Sequence, residues 1–510
     1  PSAIASSATT MMSWCSRPRR SVVVLLLVLA PACALRFAAP MRARVGPRTA
    51  VEATATHDHA PTAAAPAPPR PDEKEGLRFL TPEQALETRH KFGTPCYVYD
   101  AATLEARAKT ALAFPNAFGL TVRYAMKACP NGAILKLFDT LGLHFDASST
   151  HEATRAMRAG VAPSKISLST QQLDDPDFRE LVERGVELNA CSLSQLEAFG
   201  RAFPGRDVGI RFNPGVGSGG TSKTNVGGPA SSFGIWHGDF DAVVDLASEY
   251  NLTVVRVHTH IGSGSDAAVW QRVAKMSLDL CERLGPSVQT LNLGGGYKVG
   301  RMNYEKSTDL ATVGAPVRDE FEAFAERTGT RLRLEIEPGT FLVADAGALV
   351  TTVQDVVSTK TDKAFPADED PGRDFLKLDC GMTDVLRPSL YGSQHPIVVV
   401  PGDAADDSAR DDARYVVVGH CCESGDLLTP APDEPSTLAD RLTTEARRGD
   451  VAVIEAVGAY CAAMATKGYN SFPEAPEAIL AKNGDLKLIK RRSTLDQLLE
   501  NEIPADGDLL

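Results

Sequence analysis

The sequence predicts a (β/α)8 barrel, the TIM-barrel fold, followed by a second, mostly β domain of sandwich or barrel type. Three observations carry this. Eight short runs of apolar and β-branched residues fall between Thr121 and Ile336, with helical patterns between them. Polar, reactive residues sit where these runs end. After about Ala346 the pattern changes to strand-rich segments with few long helical stretches.

The eight candidate strands cover 121–126, 143–147, 166–168, 186–189, 208–212, 254–259, 290–293 and 331–336. Stretches such as 133–141 and 267–284 space their apolar residues for amphipathic helices. Eight β-α units over roughly 220–250 residues suit such a barrel, whose active site lies at the C-terminal rim of its strands. At that rim the sequence places Lys127, Asp146 to Ser149, Ser169 and Thr170, Asn189 with Cys191, and Arg211 with Asn213. It then places His260 with Gly262 and Ser263, the triplet Gly294-Gly295-Gly296, and Glu337. The later strands fall at 348–357, 375–378, 415–418 and 451–455. The expected division is a leader over 1–52, a disordered linker over 53–72, and a segment over 73–112 that joins the β domain. The barrel follows over 113–345 and the β-rich domain over 346–510.

Composition narrows the class. The chain has 510 residues, 43% of them hydrophobic, which is ample for a large core and more than one structural unit. A net charge of −12 without a long basic block in the body argues against nucleic-acid binding. The ten cysteines form no CxxC pair and suit reduced thiols better than a disulfide framework. Cys421 and Cys422, being adjacent, are geometrically poor partners for each other.

The N-terminal region has the composition of a targeting segment. Arg17, Arg19 and Arg20 precede the apolar run 22–30, and Ala32-Cys33-Ala34 resembles a cleavage site. That run is too short to span a bilayer, so no membrane association is expected of the mature form. Residues 35–50 then carry Arg36, Arg42, Arg44 and Arg48 and no acid, as transit peptides do. A signal followed by a transit-like segment, with Phe37 behind the cleavage site, resembles leaders that send proteins into plastids bounded by extra membranes. Simple secretion is the alternative. Residues 53–70, rich in Ala, Pro and Thr, suit a linker.

The rim residues suggest one chemistry in combination. Pyridoxal chemistry needs a lysine for the imine, an acid at the pyridine nitrogen, a phosphate cradle, a ring support and a substrate clamp. Lys127 could supply the first, although a lone lysine at a strand end is more often a solvated charge. Glu337 could keep the pyridine nitrogen protonated, although its bland reading is a loop glutamate. Gly294, Gly295 and Gly296 present side-chain-free amides to an anion, with Ser263 as a further donor. His260 could stack on the ring. His258-Thr259-His260 also admits a rival: two histidines one residue apart can ligate a metal in barrel hydrolases. No second histidine pair in the barrel accompanies them, so no metal is expected, and His258 suits a core position.

In combination the motifs are specific. They are Tyr124-Ala125-Met126-Lys127-Ala128, His258-Thr259-His260-Ile261-Gly262-Ser263, the glycine triplet and Glu337-Pro338-Gly339. The later ones are Arg387-Pro388-Ser389-Leu390-Tyr391, Cys422-Glu423-Ser424-Gly425-Asp426 and Gly458-Ala459-Tyr460. From about Thr94 to Asn501 the chain resembles the barrel-type (fold type III) pyridoxal-phosphate decarboxylases, and within them the diaminopimelate decarboxylases. The resemblance implies pyridoxal 5'-phosphate as cofactor and conversion of meso-2,6-diaminopimelate to L-lysine and carbon dioxide. It implies Lys127 as the imine-forming lysine, Glu337 as the pyridinium partner and His260 as the stacking ring. Ser263, the glycine triplet and Tyr460 match phosphate ligands, and Asp146 and Arg211 match positions near the cofactor. Cys422 resembles the thiol that protonates the substrate carbon. Arg387, Tyr391 and Glu423 resemble contacts to the distal end of the substrate. Cys422 and its neighbours reach a partner's barrel in this family, which implies a homodimer with shared sites.

The substrate assignment has a physical basis. Diaminopimelate carries both an amine and a carboxylate at its far end. Glu423 suits the amine, and Arg387 suits the carboxylate, which a guanidinium grips bidentately. Arginine, ornithine and carboxynorspermidine decarboxylases remain the near alternatives, a metal-dependent barrel hydrolase the distant one, and a non-catalytic binding homologue a third. Two positions depart from the family. Thr340 follows Glu-Pro-Gly where arginine is usual, so that contact is weakened or comes from Arg301 or Lys298. Ser232 stands before Phe233-Gly234 where lysine is frequent.

Overall fold

The computed structural model describes residues 73–173, 176–217, 226–262, 264, 266–360, 372–403 and 409–503. The expected leader and linker lie outside them. Eight parallel strands form a closed ring: β1 Leu120–Ala125, β2 His144–Ala147, β3 Ile166–Leu168, β4 Glu187–Ala190, β5 Asp207–Asn213, β6 Thr253–Thr259, β7 Thr290–Asn292 and β8 Arg333–Ile336. Pairing of β8 with β1 and of β4 with β5 completes the ring. Interior and surrounding helices bury both faces of these strands, so they show as near-continuous apolar runs. β1 and β2 are buried along almost their whole length.

The barrel interior also carries charge. Arg123 of β1 pairs with Glu335 of β8 at 2.8 Å and with Glu187 of β4 at 2.5 Å. Arg256 of β6 meets Glu187 at 2.6 Å and Glu335 at 3.2 Å. Two cations and two anions thus balance. Removing the buried Glu335 would leave Arg123 and Arg256 sharing only the part-exposed Glu187, a loss of about 3–5 kcal/mol. The network lies beneath the rim: Glu335 is two residues before Glu337, and Arg256 two before His258, so each pair shares a strand face.

A nine-stranded sheet forms the second unit. Its long strand, Gly347–Ser358, pairs antiparallel with Cys96–Asp100, Asp374–Leu378 and Val451–Ile454. Cys96–Asp100 also pairs in parallel with Glu477–Leu480. The N-terminal segment therefore lies inside a sheet built mostly from the C-terminal part. Helix Pro82–Phe92 packs against this sheet. Thr81 and Gln84 form a capping box at its start, with Pro82 at the first helical position. Leu86, Val98, Val350, Val453 and Leu480 form the core beneath it. The next helix, Ala101–Leu112, packs on β1 and on the short turn Thr340–Val343. The barrel layer thus begins ahead of the expected residue 113.

Candidate active site

The side chains at the strand ends converge. Lys127 lies in a single turn, Met126–Ala128, directly after β1. Parallel register sets Ala125 beside Asp146, Arg211 beside His258, and His258 beside Asn292. Glu337 follows β8 at once. Five strands therefore deliver Lys127, Asp146, Arg211, His258 with His260, and Glu337 to one mouth.

Glu337 is the most firmly held. It is 5% exposed. Its Oε1 accepts from the Asn292 side-chain amide at 2.6 Å, and its Oε2 lies 3.3 Å from His258 Nε2. The other ring nitrogen of His258 lies 3.5 Å from the Ser169 hydroxyl, to which the Asn189 amide donates at 3.0 Å. Burial lowers the His258 pKa against the pull of Glu337. The contact is thus a neutral imidazole placed 3.3 Å from a carboxylate. Burial also disfavours the Glu337 anion, but the close His258 contact and the nearby Lys127 charge outweigh it, and the net direction for Glu337 is downward.

Asp146 goes the other way. Burial, reinforced by the nearby Glu337 charge, raises its pKa although Lys127 opposes this, and its Oδ1 has no hydrogen-bond partner. Neighbouring carboxyls with divergent environments divide acid and anion roles between them. Solvent reaches Lys127 although protein surrounds it. Burial pulls its ammonium down and Arg211 adds to this, but Tyr460, Asp146 and Glu337 prevail and the net shift is upward.

The glycine triplet is required by close approach. Gly294 has φ +70°, and a Cβ there would meet His260 Nδ1 at 2.6 Å. A Cβ on Gly295 would lie 2.0 Å from the Glu337 carbonyl oxygen. The Gly295 N–H donates to His260 Nδ1 at 3.3 Å, which fixes the ring. Burial, then Arg211 and Lys127, keep His260 far below its ordinary pKa, so it offers a neutral ring face. Gly296 accepts from the Gly264 N–H at 3.0 Å. Ser263 lies outside the described residues.

The β domain closes one side of the mouth. Tyr460, at φ +57°, donates its N–H to the Ala128 carbonyl at 2.8 Å, beside the Lys127 turn. Arg387 opens the short helix Arg387–Tyr391, and its guanidinium stands 5.6 Å from the Tyr391 ring centre. Both Lys127 and Arg387 act electrostatically on Tyr460. Cys422 and Glu423 are placed differently. They are exposed on a loop where Asn470 accepts from the Cys422 N–H at 2.9 Å and the Tyr469 hydroxyl donates to Glu423 at 3.3 Å. Among the described residues, no contact of theirs reaches the Lys127 cluster.

The residues present fit pyridoxal phosphate: a lysine amine, an ionised carboxylate that accepts from Asn292 beside His258, a neutral ring face and a glycine turn too close-packed for any side chain. Sequence reasoning missed Asn292 and assigned His258 to the core. Its signal was the spacing of His258 and His260, which puts both on one strand face. Among the described residues, no group of three His, Cys, Asp or Glu is placed to hold a metal, and no helix is long and apolar enough to cross a membrane.

Residues 102–344 match the family described as pyridoxal-dependent decarboxylase, pyridoxal binding domain. The diaminopimelate decarboxylase of Escherichia coli (strain K12) is 34% identical over 428 residues, which cover 83% of this chain and 97% of that one. The chain belongs to the pyridoxal-dependent decarboxylase family, among the diaminopimelate decarboxylases. The Streptomyces coelicolor member is 35% identical over 416 residues, covering 81% of this chain and 90% of its own. A crystal structure of a diaminopimelate decarboxylase superposes with a TM-score of 0.75 at 34% identity, covering 83% of this chain and 96% of that one. The Helicobacter pylori enzyme, complexed with L-lysine, gives 0.68 at 27% identity over 82% and 98% of the two chains. For a decarboxylase of this family, the rim geometry supplies the cofactor's lysine and acid from the ends of two neighbouring strands, β1 and β8.

Proposed function

We propose that this chain decarboxylates meso-2,6-diaminopimelate to L-lysine and carbon dioxide, using pyridoxal 5'-phosphate. The observation that carries the reading is the pairing of Lys127 with a Glu337 held ionised by His258 and Asn292. Bound pyridoxal phosphate supplies an electron sink for the bond broken at the substrate's α-carbon. Lys127 would hold the cofactor through its side-chain amine. Glu337 keeps a proton on the pyridine nitrogen. The turn Gly294-Gly295-Gly296, bare of side chains, would face the phosphate, with Ser263 and Tyr460 beside it; the Gly294 and Gly295 N–H groups donate to Asn292 and His260. His260 presents its neutral face to the ring, and Asp146 and Arg211 line the same wall.

The α-carboxylate leaves as carbon dioxide, and the Cys422 thiol returns one proton to the carbon it left. Arg387, Tyr391 and Glu423 take the far amine and carboxylate. Because Cys422 and Glu423 are exposed and make no contact with their own barrel's mouth, we assign them to the site of a second copy, in a homodimer with shared sites. The signal-plus-transit composition of residues 1–52 supports a plastid address.

The deciding experiment measures carbon dioxide release from meso-diaminopimelate, arginine, ornithine and carboxynorspermidine, with and without added pyridoxal phosphate. Release from diaminopimelate that depends on the cofactor is expected. Preference for any other substrate would overturn the assignment.

A further inference from the structure

Arg301 lies in the loop between β7 and helix Leu310–Thr328, a little beyond the glycine triplet. Its Nε and Nη2 are out of solvent with no hydrogen-bond partner, and the same is true of Arg387 Nε. Arg387 Nη2 has only the neutral Ser393 hydroxyl, at 3.1 Å. Each guanidinium lies in the other's field and both act on Cys461, next to Tyr460. Among the described residues neither forms a salt bridge. Two guanidiniums with enclosed, unpartnered nitrogens in one field are costly, and the charges of Glu305 and Asp345 offset this for Arg301 only in part. Burial, then the Arg387 charge, pulls the Arg301 pKa down, yet a guanidinium keeps its proton in proteins. A ligand anion that bonds to the unpartnered nitrogens would relieve what remains.

The loop is built to hold Arg301 in place. Its N–H donates to Glu305 Oε2 at 2.7 Å, and the Arg78 guanidinium donates to the carbonyls of Gly300 and Arg301. Lys298, the other cation of this loop, is exposed. We propose that Arg301 joins Arg387 in gripping the carboxylate at the far end of the substrate, the end that is not decarboxylated. This rests on the diaminopimelate reading above. Two guanidiniums present donors to both carboxylate oxygens, so a diamine without that carboxylate gains nothing from Arg301.

The test uses holoenzyme and two variants, Arg301→Met and Arg301→Lys. Calorimetry measures binding of L-lysine, which keeps the distal carboxylate, and of cadaverine, which lacks it. Cofactor absorbance is recorded alongside. For Arg301→Met, L-lysine binding should weaken at least tenfold, cadaverine binding should stay unchanged, and the cofactor should be retained. The diaminopimelate KM should rise more than kcat falls, and Arg301→Lys should recover part of the loss. Equal weakening of both ligands, or no change in either, overturns the proposal. Loss of cofactor with normal lysine binding after reloading overturns it too, by assigning Arg301 to the phosphate. Lysine binding is read without turnover. If the unsubstituted enzyme fails on diaminopimelate while Arg301 still governs lysine binding, only the substrate reading falls.

Discussion

His258 and Glu337 meet at 3.3 Å over the strand β7 that separates theirs, imidazole Nε2 to carboxylate Oε2, with both side chains almost wholly buried. The contact gives His258 a positioning part: it fixes one oxygen of the carboxylate on which the cofactor's ring nitrogen depends. Glu337→Gln removes the charge while keeping the shape. Turnover should fall roughly 100- to 1,000-fold, the scale of losing one preorganised electrostatic partner. Cofactor should remain bound. His258→Leu leaves the charge but frees its orientation, so kcat should fall about 100-fold and the acid limb of the pH–rate profile should move. An unmoved acid limb would mean that His258 merely fills space.

Lys127→Ala should abolish both turnover and the visible absorption of bound cofactor, since no other described lysine lies in this cluster. Survival of either band or activity would remove the central assignment.

Gly295→Ala places a methyl 2.0 Å from the Glu337 carbonyl oxygen. The β7 loop must then shift away from β8. Cofactor binding should weaken at least tenfold, with strain of about 1–3 kcal/mol. Titrating apo-protein with pyridoxal phosphate measures this directly.

Shared sites make a prediction that no single-chain account makes. Lys127→Ala and Cys422→Ser should each be nearly inactive alone. Co-expressed, half of the dimers are mixed and half of their sites intact, so about one quarter of the activity should return. No recovery would place Cys422 in its own chain's site.

Glu455 tests the electrostatics away from the chemistry. It is fully buried, accepts from the Arg78 N–H at 3.1 Å, and burial pushes its pKa up to about 7 although Arg78 opposes this. The unfolded chain ionises first, so stability falls as pH rises from about 4.5 to about 7 and then levels off. Glu455→Gln should be close to neutral at pH 5 and stabilising by roughly 1–3 kcal/mol at pH 8. Thermal unfolding at the two pH values decides it.

The barrel was legible because burial on both faces makes its strands continuous apolar runs, and Ile166–Leu168 falls at its expected bounds. In the β domain only some strands were. Cys96–Asp100, Ile397–Val400 and Glu477–Leu480 are short, and distant segments determine their pairing. Within the site, Lys127, His260 and Glu337 stood out because each ends an apolar run. Asn292 did not, because an amide inside a strand gives no hint of the carboxylate it meets from the end of the neighbouring strand. Cys422 illustrates the opposite case: its motif is conspicuous, yet a single chain leaves it without a contact at the barrel mouth.

Arg78 reaches the backbone of the Arg301 loop with its side chain and Glu455 with its own N–H. One residue near the front of the described chain thereby ties a wall of the substrate pocket to the β domain. This sets a limit on N-terminal trimming. A protease that stops short of Arg78 leaves the pocket intact, whereas one that passes it unties the wall while every catalytic side chain remains. Such a shortened enzyme would keep its cofactor colour and lose its grip on substrate.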